Sequence, residues 1–490
     1  MTRRSVLTGR CGYGRDDLPD TFRPYGSPAM KLSSVVVSLS AALALSGCTT
    51  LAPNATDVAP GIPAQWPAVQ DQTPPADAAA LGWRTFFADP RLQQVIAQAL
   101  DNNRDLRVAV LNVERARGQY RVQRADQVPA LAVQGSMERR GGDLPVSEQF
   151  SAGLGVTGFE LDLFGRVRNL SEAALQQYFA VAANRRNAQL SLVAETATAW
   201  LTLGTDRELL RVSEATLAAH EDSLRLAQAR YERGGSSALE LAQTRTLVET
   251  ARGDVARLRG QLEQDRNALA LLAGGQVDDS LLPEGDDSVA LVALAPPPAD
   301  LPSDVLLQRP DIMAAEHALR AGNANIGAAR AAFFPTISLT GTLGSSSTEL
   351  SGLFDGGTRA WSFLPTITLP IFQGGRLRAN LVVAEADRDI ALAEYEKAIQ
   401  VGFREVADAL AQSSSLDAQV QSQRALLEAA SLSERLSQAR YDAGLDSFVT
   451  LLDARRTAYA AQQGVLQTGL SQQTNRITLY KVLGGGWSER

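Results

Sequence analysis

The stretch Arg359-Ala-Trp-Ser-Phe-Leu-Pro-Thr-Ile-Thr-Leu-Pro-Ile-Phe-Gln-Gly-Gly-Arg376 decides the fold of this 490-residue chain. Apolar and hydroxylated residues alternate along it, which is typical of a β-strand with two different faces. The stretch closes with Phe372-Gln-Gly-Gly-Arg376 and passes into a helical pattern without a loop. The segment from Glu148 to Arg166 has the same design and closes with Leu163-Phe-Gly-Arg166.

The two copies are separated by a constant offset. Arg376 and Arg166 are 210 positions apart (376 − 166 = 210). Downstream, Arg440-Tyr441-Asp-Ala-Gly444 matches Arg230-Tyr231-Glu-Arg-Gly234 at the same offset (441 − 231 = 210). A fixed offset between matching motifs indicates a tandem duplication of one structural unit.

Each unit contains two segments that alternate with period two. The four predicted strands cover residues of about 129–137, 148–163, 335–344 and 359–372. One face of each is apolar and the other is small and hydroxylated. This fits strands of a membrane barrel with lipid on one side and water on the other. A soluble, half-buried sheet has the same period, so both interpretations remain open at this point.

Long helical patterns follow each pair of strands. Apolar residues recur every seven positions, as in Leu210, Leu217 and Leu224, which predicts helices that pack side by side. The patterns predict two coiled-coil hairpins, over 166–272 and 376–483. A helix over residues 170–203 alone would be on the order of 50 Å long at about 1.5 Å per residue. Shorter helices are expected before each pair of strands.

Composition excludes several classes of function. The net charge is −7 and no basic block stands out, so a nucleic-acid partner is not expected. His220 and His317 are the only histidines and lie apart, so neither a metal site nor a catalytic triad is predicted. Gly153-Leu-Gly-Val-Thr-Gly158 has the spacing of a dinucleotide-binding loop, but it lies inside a predicted strand. We expect neither an enzyme nor a cofactor.

Residues 30–47 resemble a lipoprotein leader, and we interpret residues 1–29 as upstream sequence. The expected start is Met30, because Lys31 directly precedes the apolar run that ends at Leu45. That run is too short to cross a hydrocarbon core of about 30 Å. Leu45-Ser-Gly-Cys48 has the pattern of a lipobox, which predicts lipidation of Cys48.

The remaining segments follow in order. Residues 48–80 are rich in Pro, Ala and Asp, and we interpret them as a lipidated, extended tether. The first repeat covers 81–282 and the second covers 303–483. A Pro-rich linker at 283–302 joins them, and a Gly-rich tail occupies 484–490.

Four strands per chain are too few for a barrel, which needs about eight strands merely to enclose side chains. Open edges are not tolerated in lipid, because each unpaired backbone group there costs several kcal/mol. The chain therefore has to combine its strands with those of identical copies. A trimer supplies twelve.

Several ordered motifs resemble the TolC family of outer-membrane factors, in particular the lipoprotein branch that serves resistance-nodulation-division (RND) efflux systems. They are Trp83…Phe86…Asp89-Pro90, Phe159-Glu-Leu-Asp-Leu-Phe-Gly-Arg166, Arg309-Pro-Asp-Ile312, Phe333-Phe-Pro335, Leu369-Pro-Ile-Phe-Gln-Gly-Gly-Arg376, Phe403-Arg-Glu-Val-Ala-Asp408 and Arg440-Tyr441…Gly444. The resemblance spans essentially residues 48 to 483.

The resemblance implies a mainly α fold with transmembrane β: a trimeric, twelve-stranded outer-membrane β-barrel that continues into a periplasmic α-helical barrel. It implies a passive efflux duct anchored in outer-membrane lipid through Cys48. The implied partners are a periplasmic adaptor protein and an inner-membrane RND pump. A type I protein-secretion duct of the same fold and a periplasmic adaptor lipoprotein are the alternatives.

The resemblance also implies a periplasmic gate. Family members carry aspartates on the inner helix of the second hairpin near its tip, and Asp408 matches that position. Arg404 lies one turn earlier, where relatives hold the closed state through hydrogen bonds. A simpler alternative is an ion pair between Arg404 and Asp408 on a solvated helix face. The first repeat has Thr198 at the matching position (408 − 210 = 198), so only one aspartate ring follows.

Overall fold

The computed structural model describes residues 50–53, 63, 82–143, 145–284 and 303–485. The predicted leader, most of the predicted tether, all but the first two residues of the predicted linker and the end of the predicted tail lie outside these residues.

Among the described residues, three helices precede the first strand: α1 (Trp83–Phe86), α2 (Pro90–Asn102) and α3 (Arg104–Ala125). Helix α2 begins at Pro90 because the Asp89 side chain accepts hydrogen bonds from two backbone N–H groups of the first turn, and proline needs no partner there. Apolar residues recur at helical spacing on one face of α2, where Leu92, Val95, Ile96 and Ala99 are buried and Leu100 is half-buried.

The four strands form one antiparallel sheet in the order β1-β2-β3-β4. Their bounds are β1 Leu131–Arg140, β2 Ser147–Leu161, β3 Thr336–Ser347 and β4 Arg359–Thr368. All four predicted strands exist, but several predicted bounds were wrong. β1 ends at Arg140 instead of residue 137, and β3 ends at Ser347 instead of residue 344. β4 ends at Thr368 instead of residue 372, because Pro370 has no N–H to offer a neighbouring strand.

The glycine-rich run of β2 lies within the sheet, as its alternation predicted. Gly153 is opposite Gly344 of β3, and a side chain on either residue would collide with the partner backbone. The register shifts between Val156 and Phe159, where Gly158 has a φ of 65°. The run therefore supplies close strand contact and a bulge instead of a phosphate loop.

Five long helices complete the structure: α4 (Arg166–Glu232), α5 (Ala238–Leu272), α6 (Pro310–Ala331), α7 (Arg376–Asp442) and α8 (Phe448–Val482). Short 3-10 helices occupy Asp279–Leu281 and Ser303–Gln308. Helices α4 and α7 each have 67 residues, and α5 and α8 each have 35. These equal lengths match the 210-residue offset read from the sequence.

The strand-to-helix corners are built by glycine. Gly165 caps α4 with a φ of 79°, and Gly375 caps α7 with a φ of 88°. Left-handed backbone is costly for residues with a Cβ, so glycine is favoured at the residue where each helix begins. Seven residues separate the end of β4 at Thr368 from the start of α7 (376 − 368 − 1 = 7), so the predicted passage into the helix without a loop was wrong. This explains why both copies of the deciding stretch close with glycine followed by arginine.

The main apolar core lies about halfway along α4, where α1 and α2 pack against it. Trp83, Trp200 and Phe86 are buried there, and Phe86 stacks on Tyr480 of α8 with a centroid distance of 3.7 Å. The Trp200 indole N–H donates to the carbonyl of Leu281 at 2.9 Å. The end of α8 is thus joined to the beginning of the first repeat.

A buried arginine links three helices of the second repeat. The Arg309 guanidinium donates to Asp311 and to Glu405 of α7, each at 2.7 Å, and to the carbonyl of Val482 at 3.0 Å. Burial by itself lowers the pKa of Arg309, but the hydrogen bonds and charges of Asp311 and Glu405 outweigh it and raise the pKa. The start of α6 is therefore fixed to α7 and α8.

The heptad prediction holds for α5 but not for α4. The same seven-residue spacing predicts a packed face in α5 made of Leu241, Val248, Val255, Leu262 and Leu269. Val248, Val255 and Leu269 are buried, and Leu241 and Leu262 are half-buried. Towards the C-terminal end of α4, however, Ser213, His220 and Ala227 are buried at seven-residue spacing. The predicted leucines, Leu210, Leu217 and Leu224, are only half-buried. Small side chains allow a closer approach of the neighbouring helix, and Ser213 hydrogen-bonds the Tyr459 hydroxyl at 2.7 Å.

The tether interpretation of residues 48–80 stays a prediction. Near its start, Thr50 hydrogen-bonds Asn169 of α4, with 2.9 Å between Thr50 Oγ1 and Asn169 Oδ1. Over the described ranges, no helix combines the length and the apolar character that crossing a membrane would require.

Candidate functional site: the exposed sheet and the helical hairpins

One face of the sheet is a continuous apolar stripe. Val133 of β1 is opposite Leu154 of β2, Leu154 is opposite Leu343 of β3, and Leu343 is opposite Trp361 of β4. Val133 is 82% exposed and Trp361 is 75% exposed. A soluble half-buried sheet would cover this face with a helix or a second sheet. Of the two interpretations of the strands, the exposed stripe therefore favours a sheet that faces lipid or another apolar medium over a soluble, half-buried sheet.

The opposite face is polar and internally hydrogen-bonded. The hydroxyls of Ser136 and Ser151 lie 2.7 Å apart, and those of Thr342 and Ser362 lie 2.6 Å apart. Gln134 donates to the hydroxyl of Thr157 at 2.8 Å. These short side chains leave polar groups available to water along the whole sheet. The two faces together have the polarity of a barrel wall with lipid outside and water inside.

The sheet has two open edges. Within the described part of the chain, β1 pairs only with β2 and β4 pairs only with β3. Each edge strand has 10 residues. An apolar, exposed sheet with free edges is a strong template for pairing with another chain.

The tips of the two hairpins have the same construction. Gly234 and Gly444 end the first helix of each hairpin with φ values of 73° and 71°. Ser237 and Ser447 then cap the returning helices by accepting a backbone N–H bond. The tips are therefore sharp, rigid turns.

Near these tips the two hairpins are bound to each other. The Tyr441 hydroxyl of α7 donates to Glu240 of α5 at 2.6 Å and accepts from Arg230 of α4 at 3.0 Å. The Arg230 guanidinium also lies over the Tyr441 ring, 5.6 Å from its centroid. Burial, and next the bond to Glu240, raise the pKa of Tyr441, so the hydroxyl stays protonated and can donate. The sequence marked Arg230 and Tyr441 only as repeat positions and gave no sign that they meet.

Asp408 does not lie near a hairpin tip, so that part of the prediction was wrong. It is 34 residues before the end of α7 at Asp442 (442 − 408 = 34), or about 50 Å at 1.5 Å per residue. The cause is the length of α7, which the motif match did not reveal. Asp408 lines a cleft of about 440 Å³ together with Asn475 and Lys481 of α8.

Arg404 and Asp408 are both exposed and do not form the ion pair of the simpler alternative. Across the described ranges, neither side chain makes a hydrogen bond or an ion pair, although they lie one turn apart. Both charges therefore remain available to groups outside the protomer. Their part in a gate stays a prediction.

Other titratable groups form no metal cluster in the part of the chain that the structure describes. One carboxyl pair in the first hairpin is nevertheless unusual. Burial, followed by hydrogen bonding to Asp265 of α5, raises the pKa of Asp206 of α4 to about 7. Arg257 opposes this shift by its positive charge.

Comparison with known proteins identifies the same architecture. A family model described as "Outer membrane efflux protein" matches residues 95–275 and again 301–485, which correspond to the two repeats. The chain is 46% identical over 462 residues to the "Toluene efflux pump outer membrane protein TtgC" of Pseudomonas putida, covering 92% of this chain and 95% of the relative.

The "Antibiotic efflux pump outer membrane protein ArpC" of Pseudomonas putida is equally similar, with 46% identity and the same coverage. Among solved structures, the open state of the MtrE outer membrane channel of Neisseria gonorrhoeae superposes with a TM-score of 0.82 at 40% identity. It covers 90% of this chain and 99% of MtrE.

Proposed function

The chain belongs to the outer membrane efflux protein family, and from this membership we propose that it is the passive outer-membrane exit channel of a tripartite efflux pump. The single observation that carries the proposal is the exposed apolar stripe on a sheet with two free edges. That surface requires lipid outside, water inside and further strands at both edges.

Further strands come from identical copies. Pairing β1 of one protomer with β4 of the next is a head-to-tail contact, which closes into a ring when the rotation is right. Two protomers give eight strands, and side chains fill the interior of a barrel of about eight strands. Three protomers give twelve strands, so a trimer is the smallest assembly whose barrel leaves an open lumen. Helix α3 supports this arrangement, because Val108, Leu111 and Val122 are exposed on it and need a neighbour.

A duct of this kind needs partners on the periplasmic side. We infer a periplasmic adaptor protein and an inner-membrane RND pump, because the relatives are named as components of efflux pumps. Those relatives are named for toluene and antibiotics, so small organic molecules are the proposed cargo of this chain. The sheet's polar face provides a hydroxyl-lined wall for water, and we infer that selection of cargo is left to the pump. An adaptor and a protein-secretion duct are disfavoured by the same relatives.

The edge pairing can be tested by cross-linking. Ser136→Cys on β1 and Ser362→Cys on β4, introduced together and treated with a bis-maleimide, should give covalent species that stop at three chains. The control joins direct partners within one sheet, Ser151→Cys on β2 and Ser346→Cys on β3, and should yield only linked monomers. Edge cysteines that never link two chains would refute the trimeric barrel.

We further propose that Cys48 carries the covalent lipid, with no other cofactor. Cys48 itself lies outside the described residues, so the support is the lipobox pattern together with the placement of Thr50 close behind it. Mass spectrometry of the N-terminal peptide should find diacylglyceryl and acyl groups on Cys48. An unmodified peptide that continues upstream of Cys48 would contradict the assignment.

We propose that the duct is controlled at two positions along its length, the hairpin tips and the region of Asp408. At the hairpin tips, the bonds among Arg230, Tyr441 and Glu240 hold the first hairpin against the second, so the tips cannot separate until these bonds break. About 50 Å from the tips along α7, three copies of Asp408 provide a ring of negative charge that attracts cations, and Arg404, one turn earlier, is the second proposed gate residue. Single-channel recordings of variants at each level distinguish the two.

A further inference from the structure

One of the two histidines of the chain is buried in the periplasmic hairpins. His220 lies on α4, 12 residues before the end of that helix at Glu232 (232 − 220 = 12), or about 18 Å along it. Only 9% of its surface is exposed. In the described part of the chain, its Nδ1 atom has no hydrogen-bond partner. Leaving a buried polar atom without a partner costs free energy, so packing alone does not account for a histidine at this position.

The side of α4 that carries His220 faces the second hairpin. Ser213, seven residues earlier on α4, hydrogen-bonds Tyr459 of α8 at 2.7 Å. Ser223, three residues later, accepts a hydrogen bond from Arg455 of α8 at 2.9 Å. His220 lies between these two bonds along α4. It is therefore part of the contact between the first hairpin and the second.

Arg455 is the charged group of α8 that acts on His220. Its guanidinium donates to Ser223 and also to Gln438 of α7 at 2.6 Å, so the side chain is fixed in the contact. Burial, followed by the positive charge of Arg455, lowers the pKa of His220 below its ordinary value of 6.5. The imidazole is therefore neutral at pH 7, and the contact holds one positive charge.

The carboxylates next to His220 in the sequence are bound to other arginines. Glu221 of α4 accepts a hydrogen bond from Arg252 of α5 at 2.9 Å, and Arg252 also donates to Glu249 of its own helix at 3.0 Å. Asp222 is paired with Arg225 on α4. These side chains are largely exposed. They therefore provide no free counter-ion inside the contact.

Protonation of His220 would place a second positive charge beside Arg455. Like charges in a buried contact repel each other, and burial adds the cost of removing the imidazolium from water. Because the contact lowers the pKa of His220, the packed hairpins bind this proton less readily than separated hairpins do. The contact therefore loses stability as pH falls below 6.5.

We propose that His220 is an acid-sensitive switch in the contact between the hairpins: its protonation repels Arg455, loosens α4 from α8 and favours the open duct. The inference rests on the proposed exit channel. It adds a dependence on pH to the contact that the bonds of Tyr441 hold at the hairpin tips.

Planar-bilayer recordings of the mature, full-length protein at pH 7.5 and pH 5.5 test the proposal. The open probability of the parent should rise several-fold at the lower pH. His220→Asn keeps a polar side chain that does not titrate, and it should lose most of this rise. Arg455→Gln should shift the midpoint of the response to higher pH, because the charge that lowers the pKa of His220 is gone.

His317→Asn is the matched control, because the Nδ1 atom of His317 on α6 is hydrogen-bonded to Gln176 of α4 at 2.7 Å, outside the contact between the hairpins. This variant should respond to acid as the parent does. Asp206 also titrates in this range, but it lies 14 residues from His220 (220 − 206 = 14), about 21 Å along α4, and is present in every variant.

Three results would overturn the proposal: a parent channel that opens equally at both pH values, a His220→Asn variant that keeps the full acid response, or an unshifted midpoint in Arg455→Gln. A parent protein that forms no channel at either pH would instead refute the proposed function.

Discussion

Tyr441 is the residue whose contacts say most about how the duct could close, because its hydroxyl bonds residues of two different helices in the opposite hairpin. Hydrogen bonds that involve a charged partner contribute about 1.5–3 kcal/mol each. Two such bonds meet at the Tyr441 hydroxyl and form a strong link between the hairpins. Removing that one oxygen atom removes the whole link.

We predict that Tyr441→Phe raises the open probability of the channel in planar bilayers. The ring remains for packing, while the bonds to Arg230 and Glu240 are lost. Its counterpart in the first repeat, Tyr231, is exposed, and Tyr231→Phe should leave the recordings at parent values. Equal open probability in the Tyr441 and Tyr231 variants would exclude the tip link from gating.

Asp408→Ala tests the second level of control. Removing three carboxylates from one height of the duct should raise single-channel conductance or weaken block by trivalent cations, since a ring of negative charge attracts them. Thr198→Ala, at the matching position of the first repeat, is the control and should change neither quantity. If Asp408→Ala conducts and is blocked as the parent is, the charge ring has no role in the channel.

Among the structural elements, the corner between strand and helix depends on backbone conformation alone. Gly375 has a φ of 88°, and a Cβ there would meet no other atom. Gly375→Ala should therefore destabilise the folded protein by about 1–2 kcal/mol, the cost of a left-handed residue with a side chain. Gly469→Ala, inside α8 and likewise in open space, should stabilise it by up to about 1 kcal/mol. Thermal unfolding measures both, and shifts of the same sign would contradict the account.

The first hairpin carries a pH dependence of its own. The folded pKa of Asp206, about 7, exceeds the ordinary value of 3.8, so between these pH values the folded state keeps a proton that the unfolded chain releases. The contribution of this group to stability therefore falls as pH rises from about 4 to 7. Asp206→Asn should flatten the change in melting temperature between pH 5 and pH 8. An unchanged slope would show that Asp206 titrates normally.

The elements were readable from the sequence, and several contacts between them were not. Alternation located all four strands, and the 210-residue offset matched α4 with α7, because periodicity reflects faces and duplication preserves lengths. The packing residues of α4 escaped this reading, since Ser213, His220 and Ala227 have no hydrophobic signal. The link from Arg230 to Tyr441 escaped as well, because the two residues are far apart in the chain and meet only when the hairpins pack.

At the scale of the whole molecule, the protomer is incomplete by itself. Within the described part of the chain, its sheet exposes an apolar stripe and two edges. Helix α3 exposes Val108, Leu111 and Val122. In water or lipid, these surfaces are stable only when other copies or lipid cover them. The number of chains that assemble therefore decides whether the sheet belongs to a shared barrel.

Native mass spectrometry of the mature, acylated protein, released from mild detergent, measures that number most directly. The account predicts particles of three chains, each carrying its lipid mass, with no stable population of single chains. A folded monomer that persists without lipid or detergent would contradict the assignment of the sheet to a shared barrel.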